Sequence, residues 1–372
     1  MSAGLKKYFI IAGEPSGDLH GGKLIKALKM LNPNSSFMGH GGDRMKDEGM
    51  HIIEHIDNLS IMGFFEVIKH LPRMSKIMNK TFKVIAKSKP DRVILIDYPG
   101  FNLRLAKKLS HLNIPITYFI LPQAWAWKEK RVETMKKVID QAISIFPFEA
   151  KWYESKKFNV EYLGHPFMDT EHIDESTKSF YERHLLNINE PILALLPGSR
   201  QQEIDRHWPI YLETVEILRR KLKNLQFVVG KSAHVNIPKC PEYLKVEQNA
   251  KKAMVVGTAA LVSSGTATLE CAIENTPMVV CYKLSPLSWI IAQLLINVKY
   301  SSIVNLIGNK KIVPELLQNG MTSNKLADEL LPLLDLDSEK RKNMLSDFED
   351  LKELLGSPGV YERTAELISK QT

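Results

Sequence analysis

Short apolar runs alternate with helical patterns along almost the whole chain, and this alternation limits the folds that the chain can adopt. The helical segments place apolar residues at i, i+3 and i+4, as in residues 18–31, where Pro33 follows the last turn. Strands separated by helices form parallel βαβ units with right-handed crossovers. The sequence therefore predicts an α/β fold with parallel sheets. The runs that predict strands are 8–12, 36–38, 92–96, 116–120, 142–146, 160–163, 192–196, 226–229, 259–262 and 278–281.

The strand–helix pattern runs in two series, separated by a polar segment over 169–189. A chain of 372 residues is long for one core and sufficient for two domains. We therefore expect two doubly wound, Rossmann-like domains that face a cleft. The expected domains are 1–168 and 169–355, with a C-terminal helix at 356–372 that packs back on the first domain.

A turn of small residues joins the apolar run 259–262 to a following helix. Gly265 would let the backbone approach a ligand closely, and hydroxyl groups of Ser264 and Thr266 flank it. The free N–H groups of the helix N-terminus favour an anion such as a phosphate. Glu270, about one turn into that helix, could accept hydrogen bonds from a ribose. It could equally be an ordinary first-turn acid stabilised by the helix dipole.

A second tight turn, at Gly198 and Ser199, follows the apolar run 192–196. Arg200 comes next and offers five donors in a fixed geometry to a phosphate. The alternative is a surface arginine in a loop. Two such turns in one half of the chain fit the two sides of a diphosphate, so the sequence predicts that the second domain binds a nucleoside diphosphate.

Polar side chains also follow two predicted strands of the first domain, where open α/β sheets bind their ligands. Asp97 comes directly after the run 92–96, and a partly desolvated carboxylate there is suited to general base catalysis. The alternative for Asp97 is a turn residue before Pro99. The candidates after the first strand are Glu14, Ser16 and Asp18.

Composition and missing motifs narrow the classes of function that the chain could have. The net charge of +8 predicts an anionic partner without choosing among nucleotide, nucleic acid and membrane. The chain has neither G-x-G-x-x-G nor a Gly-Lys-Ser/Thr loop, which disfavours an NAD enzyme and an ATPase. Its three cysteines have no paired spacing, and the D-x-D at 335–337 reads as a turn between helices, so we expect no metal and no cofactor. The short apolar runs predict a cytoplasmic protein without a signal peptide or membrane span.

Nine motifs, in order over nearly the whole chain, resemble those of the lipid-A-disaccharide synthases, a glycosyltransferase family of Gram-negative outer-membrane biosynthesis. Pro15 stands where the family more often has Ala, and Gly100 where many members have Asp. Neither position bears on the chemistry. The motifs are 12–18 (AGEPSGD), 61–64 (IMGF), 96–102 (IDYPGFN), 123–127 (QAWAW), 146–149 (FPFE), 164–166 (GHP), 195–200 (LLPGSR), 264–270 (SGTATLE) and 305–307 (NLI).

The resemblance implies a glycosyltransferase of the B-type fold. Its donor would be UDP-2,3-diacylglucosamine and its acceptor 2,3-diacylglucosamine 1-phosphate. The products would be a β-1,6-linked disaccharide 1-phosphate and UDP. Since the donor linkage is α in this family, one displacement with inversion is implied.

The resemblance also assigns roles to particular residues. Asp97 would take the proton of the acceptor 6-hydroxyl, with Glu14 and Asp18 as alternatives. The residues expected at the acceptor or its lipid are Ser16, Met62, Gly63 and Phe64. The residues expected at UDP are Gly198, Ser199, Arg200, Ser264, Gly265, Thr266, Ala267, Glu270 and Asn305.

A basic amphipathic helix is predicted over 72–87, opening at Pro72. Its cationic face could contact an anionic membrane, which would give peripheral association with the cytoplasmic face of the inner membrane. The alternative, equally supported, is a surface helix whose apolar face packs on the first domain. The membrane candidates are Arg73, Lys76, Lys80 and Lys83.

The sequence is also compatible with two other functions. One is a UDP-sugar epimerase, or a transferase with a water-soluble acceptor. The other is a basic nucleic-acid-binding protein, which is disfavoured because the aromatic residues are not interleaved with basic ones on strands. We therefore expect no nucleic acid partner, and the sequence leaves a homodimer open.

Overall fold

The computed structural model describes residues 4–59, 64–169, 177–232, 235–295 and 298–371, without the side chains of 64–71. The chain forms two compact units. Unit 1 comprises Met1–Asp169 and Leu355–Thr372, and unit 2 comprises Thr170–Leu354. Each unit is built on one parallel sheet flanked by helices.

Unit 1 contains a seven-stranded sheet. Its strands are β1 (Lys7–Ile11), β2 (Ser36–Gly41), β3 (His51–His55), β4 (Arg92–Ile96), β5 (Ile116–Phe119), β6 (Gln141–Ser144) and β7 (Glu161–Tyr162). Their order across the sheet is β3-β2-β1-β4-β5-β6-β7. The helices up to this point are α1 (Pro15–Leu31), α2 (Asp43–Asp47), α3 (Phe64–Ser88), α4 (Pro99–Leu109), α5 (Arg131–Val138) and α6 (Pro147–Ser155), with 3-10 turns at Ile56–Asn58 and Pro166–Asp169.

Unit 2 contains a six-stranded sheet in the order β10-β9-β8-β11-β12-β13. The strands are β8 (Ile192–Leu196), β9 (Gln226–Gly230), β10 (Leu244–Glu247), β11 (Ala259–Ser263), β12 (Met278–Tyr282) and β13 (Glu315–Leu317). The helices are α7 (Thr177–His184), α8 (Gln201–Lys221), α9 (Ala250–Val256), α10 (Thr266–Ile273), α11 (Pro286–Leu295), α12 (Ile303–Gly308), α13 (Ser323–Leu334) and α14 (Glu339–Leu355), with a 3-10 turn at Gln318–Gly320.

The central strands are apolar at successive positions because both faces of each sheet are covered. In unit 1, Phe9 and Val93 belong to one buried cluster, whereas their neighbours Ile10 and Ile94 belong to another. Side chains alternate between the two faces of a strand, so the two clusters lie on opposite faces of the sheet. This arrangement leaves the ends of the strands as the places for polar loops.

The last helix, α15 (Val360–Lys370), is part of unit 1. Its residues Tyr361 and Ala365 share a buried cluster with Leu24 and Leu28 of α1. The Asp169 carboxylate accepts hydrogen bonds at 2.5–3.1 Å from the backbone N–H groups of the N-cap residue Gly359 and of the first two helical residues, Val360 and Tyr361. A carboxylate at a helix N-terminus satisfies groups that would otherwise lack partners, so Asp169 fixes the start of α15.

Each predicted strand has a counterpart, but two predicted helix starts are wrong. Helix α1 begins at Pro15 rather than Asp18, since proline is suited to the first helical position. Helix α3 begins at Phe64, so that Pro72 lies inside the helix rather than at its start. A proline within a helix removes one backbone hydrogen bond, and the long amphipathic helix tolerates that loss. None of the described helices has the length and apolar content that crossing a membrane requires.

Candidate active site

In unit 1, the loop after β1 packs directly against the loop after β4. A Cβ atom on Gly13 would lie 2.3 Å from Cδ1 of Tyr98, so only glycine fits there. The contact places Glu14, the exposed N-cap residue of α1, close enough to Asp97 for their charges to interact. Two carboxylates whose charges interact are therefore present at the carboxyl edge of this sheet.

Asp97 and Tyr98 form a strained turn between β4 and α4. Both have left-handed backbone conformations, with φ of 44° and 49°, which non-glycine residues rarely adopt. Three hydrogen bonds hold Asp97: its N–H donates to the Phe119 carbonyl at 3.1 Å, and its carbonyl accepts from Asn102 Nδ2 and from the Tyr118 hydroxyl, each at 2.7 Å. Strain kept in place by surrounding contacts is typical of functional sites.

The environment of Asp97 makes its carboxylate unusually basic. Burial raises its pKa, and the Glu14 carboxylate raises it further, whereas the Tyr98 backbone N–H and Arg131 lower it; the resulting pKa is about 6. Such a group is mostly ionised at neutral pH and still accepts a proton more readily than an ordinary aspartate. Asp97 thus has the properties of a general base.

Asp18 has a different environment. Its carboxylate is buried and accepts hydrogen bonds from the backbone N–H groups of Gly42 at 2.6 Å, Met45 at 3.1 Å and Arg44 at 3.2 Å. These bonds fix the start of α2, so the structure gives Asp18 a role in positioning this loop.

Among the expected acceptor residues, the structure describes Ser16 fully. It lies exposed in the first turn of α1. Met62 and Gly63 lie outside the described residues. Phe64 begins α3, but its side chain is also outside them.

Two sets of polar interactions in unit 1, one around Asp97 and one around Glu149, were not predicted. Tyr118 and Arg131 both interact electrostatically with Asp97. Glu149, at the start of α6, accepts hydrogen bonds from Trp125 Nε1 at 2.9 Å and from the N–H of Phe146 at 3.2 Å; burial raises its pKa to about 7. Trp125 lies in the motif QAWAW and Glu149 in the motif FPFE. These two motifs were the sequence features from which the interaction between Trp125 and Glu149 could have been predicted.

In unit 2, Glu203 organises the turn between β8 and α8. Its Oε2 accepts hydrogen bonds from the N–H groups of Ser199 at 3.0 Å and Arg200 at 3.2 Å. The turn also requires Gly198, whose φ is +130° and whose added Cβ would lie 2.5 Å from Glu203 Oε2. Tyr282 donates to the other carboxylate oxygen of Glu203 at 2.9 Å. Sequence reasoning missed Glu203, although a Glu at the third helical position is a capping-box signal.

Arg200 projects from this ordered turn towards solvent. Its side chain is 67% exposed, with Nη1 3.7 Å from Glu203 Oε1. An ion pair of that length at an exposed site is weak. The guanidinium is therefore available to an anionic ligand.

The turn between β11 and α10 has the features of an anion site. Helix α10 begins at Thr266, so the first backbone N–H groups at Thr266 and Ala267 lie where an anion is favoured. Ser264 Oγ donates to the Ser301 carbonyl at 3.0 Å, which fixes the turn. A Cβ atom on Gly265 would meet nothing within 4 Å, so there is open space next to this backbone.

Glu270 lies one turn into α10 and is half-buried. Burial raises the pKa of its carboxyl group, while the charge of Lys251 lowers it and that of Glu274 raises it. A desolvated carboxylate gains most from new donors, and the two hydroxyl groups of a ribose are suitable ones.

Asn305 is fully buried, which differs from the expected direct contact with a nucleotide. Its Nδ2 donates to Val313 O at 2.9 Å and to Glu315 Oε1 at 2.7 Å, and its Oδ1 accepts from the N–H groups of Ile312 and Val313. Glu315 in turn accepts from the Ser301 N–H at 2.8 Å. Ser301 also accepts a hydrogen bond from Ser264, in the turn before α10. Asn305 is therefore connected to that turn indirectly, through Glu315 and Ser301.

The described residues contain no group of three or more His, Cys, Asp or Glu side chains placed to hold a metal ion. Asp335 and Asp337 lie in the turn between α13 and α14, where the Asp337 N–H donates to Asp335 Oδ1 at 3.0 Å.

Comparison with known proteins shows which protein family the chain is similar to. The family model described as lipid-A-disaccharide synthetase matches residues 8–368. A lipid-A-disaccharide synthase of Myxococcus xanthus is 34% identical over 370 residues, covering 97% of this chain and 96% of the relative.

Two solved structures show the same fold at low sequence identity. The glycosyltransferase of kitacinnamycin has a TM-score of 0.67 at 12% identity and covers 98% of both chains. The UDP-GlcNAc 2-epimerase of Neisseria meningitidis bound to UDP-GlcNAc has a TM-score of 0.61 at 11% identity, again over 98% of both chains. The predicted B-type glycosyltransferase fold is confirmed. The chain belongs to the lipid-A-disaccharide synthase family of glycosyltransferases.

Proposed function

We propose that this protein transfers 2,3-diacylglucosamine from UDP-2,3-diacylglucosamine to the 6-hydroxyl of 2,3-diacylglucosamine 1-phosphate, with inversion. Family membership supports a role in forming the lipid A disaccharide. The observation that carries the chemistry is Asp97, a carboxylate held in a strained turn with a pKa raised to about 6. The products are the β-1,6-linked disaccharide 1-phosphate and UDP.

The proposed reaction is a single displacement at the anomeric carbon of the donor. Asp97 takes the proton of the acceptor 6-hydroxyl, and the oxygen of that hydroxyl forms a bond to the anomeric carbon. The bond between the carbon and the diphosphate oxygen breaks, and its electron pair leaves with UDP. Attack opposite an α-linked leaving group gives the β linkage. Tyr118 and Asn102 keep the base in position through the Asp97 carbonyl.

Unit 2 binds the nucleotide in this scheme. The Arg200 guanidinium and the N–H groups at the start of α10 stabilise the charge that develops on the departing diphosphate. Glu270 accepts hydrogen bonds from the ribose. The turns at Gly198 and Ser199, and at Ser264 and Gly265, let the backbone approach the diphosphate. The Neisseria meningitidis epimerase, which has the same fold, binds UDP-GlcNAc. This observation supports the proposal that the donor of the present protein is a UDP-sugar.

We also propose peripheral association with the anionic cytoplasmic face of the inner membrane, where both lipid substrates would be found. The basic face of α3 supports it, because Arg73, Lys76, Lys80 and Lys83 are all exposed. The apolar side of the same helix is used by the protein itself, since Ile77 and Ile85 lie in the core of unit 1. The contribution of α3 is therefore electrostatic.

The decisive experiment incubates the purified protein with both diacylglucosamine substrates in detergent and measures UDP and disaccharide. Nuclear magnetic resonance of the product distinguishes a β from an α linkage. Asp97→Asn keeps the shape and removes the basicity, so turnover should fall roughly 10²–10⁴-fold while UDP binding persists. Glu14→Gln is the matched comparison.

Three results would contradict the proposal. An α-linked product would refute inversion, and a near-normal rate for Asp97→Asn would move the base to Glu14 or Asp18. Conversion of UDP-GlcNAc to its epimer, without disaccharide formation, would favour the epimerase alternative.

A further inference from the structure

Helix α11 turns its large apolar side chains towards solvent. None of its residues is buried. The exposed fractions of its large aliphatic side chains are 69% for Leu287, 53% for Ile290, 47% for Ile291, 79% for Leu294 and 58% for Leu295. A surface helix of a globular protein normally does the opposite and buries its apolar face.

These side chains form one continuous stripe. Positions 287, 290, 291 and 294 follow the i, i+3, i+4, i+7 spacing that places residues on one face of a helix. Trp289 and Ala292 point to the other side and are half-buried. The helix thus has one face that is partly covered by protein and a broad apolar face that is not.

The density of exposed apolar residues on α11 is unusual within this protein. Elsewhere among the described side chains, large exposed apolar residues are single or in small groups, as at Leu185, Ile188 and Leu336. Scattered residues of that kind need no explanation, whereas a contiguous patch marks an interaction surface.

The charges around α11 indicate the kind of partner. The sequence has no Asp or Glu between Glu274 and Glu315, and Lys283 and Lys299 flank the helix. The ammonium group of Lys299 lies 5.0 Å from the ring centre of Tyr300. An apolar stripe with basic and aromatic residues at its flanks is typical of a helix that lies in the interface of an anionic bilayer.

We propose that α11 is an interfacial membrane helix. Its stripe of Leu287, Ile290, Ile291 and Leu294 enters the boundary between head groups and acyl chains, and Lys283 and Lys299 contact anionic head groups. The inference builds on the proposed function, because an enzyme with diacylated substrates has to take them from a lipid phase. Through α11, unit 2 would have a membrane contact of its own. This contact would be apolar, whereas the contact of α3 in unit 1 would be electrostatic.

The test is flotation of the full-length protein with vesicles of phosphatidylcholine and phosphatidylglycerol at 3:1. The variant Leu287→Ser/Ile291→Ser/Leu294→Ser should reduce the vesicle partition coefficient by at least about tenfold, because three apolar side chains are lost from the buried stripe. The matched control Leu185→Ser/Ile188→Ser/Leu336→Ser makes the same chemical change at exposed positions of unit 2 outside α11. It should leave the partition unchanged.

Further measurements separate this inference from the proposed function. Calorimetry of UDP binding and thermal unfolding verify that the variant is folded, and the disaccharide assay in detergent tests catalysis without a bilayer. Reduced flotation with normal detergent activity supports the inference. Unchanged flotation overturns it, whether or not the chain makes the disaccharide. A wild-type dimer that the α11 variant dissociates, with unchanged flotation, would identify a second copy of the chain as the occupant and also overturn it.

Discussion

The side-chain amide of Asn102 donates a 2.7 Å hydrogen bond to the main-chain carbonyl of Asp97, five residues earlier in the chain. Helix α4 thereby holds the strained residue that precedes it. The Tyr118 hydroxyl donates to the same carbonyl from β5, at the same distance. The direction of the Asp97 carboxylate consequently depends on two neighbours that need not touch a substrate.

We expect Tyr118→Phe to lower turnover because it removes one of these two donors. The loss of one neutral hydrogen bond should cost about 1 kcal/mol of stability, and turnover should fall about three- to tenfold as the turn loosens. Tyr153→Phe is the matched control, since its hydroxyl donates at 2.6 Å to the Pro122 carbonyl rather than to Asp97. Equal effects of the two substitutions on kcat, at equal stability, would argue against a positioning role for Tyr118.

Asp97 should also leave a signature in the pH dependence of stability. Its pKa in the folded protein, about 6, is raised above the ordinary value of 3.8, so the folded state binds the proton more tightly than the unfolded state. Stability from this group is therefore present below pH 4 and is lost as the pH rises towards 6. Asp97→Asn should raise Tm at pH 7 and leave it nearly unchanged at pH 4, as measured by thermal unfolding. A lower Tm at pH 7 would show that the carboxylate is stabilised in the folded state.

The strands that sequence reasoning missed share a position in the fold. Strands β3, β10 and β13 each lie at an edge of their sheet. Every residue of the central strand β4 is buried, whereas β3 and β13 have no buried residue. Edge strands are covered less completely, so polar residues such as those in His51–His55 interrupt the apolar run by which a strand is recognised.

Among the candidate site residues, too, some were predicted from the sequence and others were missed. Asp97, Arg200 and Glu270 were predicted because each comes shortly after a strand: Asp97 directly after β4, Arg200 at the end of the turn after β8, and Glu270 one turn into the helix after β11. Glu203 and Tyr118 were missed, because their importance lies in hydrogen bonds to other segments. For Asn305, the motif indicated a contact with the nucleotide. Only the structure reveals that its side-chain amide donates hydrogen bonds to Val313 O and Glu315 Oε1 within unit 2.

Arg200 and Glu270 should both contribute to UDP affinity. Arg200→Ala removes charge-assisted hydrogen bonds worth about 1.5–3 kcal/mol, or roughly 10- to 150-fold in the dissociation constant for UDP. Glu270→Ala should weaken binding of UDP through the loss of its ribose contact. Arg219→Ala, in the last turn of α8, changes the same side chain away from both turns and serves as the control. Calorimetry that showed unchanged UDP binding in both site variants would refute the assignment.

The basic face of α3 should contribute to binding of an anionic membrane. Its lysines are exposed, although Lys80 also lies 3.5 Å from Glu54, while the apolar side packs on the core through Ile77. A surface lysine adds about 1 kcal/mol of attraction to an anionic leaflet, and salt screens that attraction. Replacing Lys76, Lys80 and Lys83 by Gln should therefore weaken flotation with anionic vesicles at low salt and leave UDP binding intact.

The control for this triple variant replaces Lys26, Lys107 and Lys151 by Gln. It makes the same change in net charge on exposed positions of α1, α4 and α6. If the site of the charge matters, the α3 variant should lose more low-salt binding than the control, and the two should converge at high salt, where the apolar stripe of α11 would remain. Equal losses would mean that net charge alone attracts the protein to the membrane. No loss in the α3 variant would leave its lysines as solvated surface residues, because the packing of α3 on unit 1 already accounts for its apolar face.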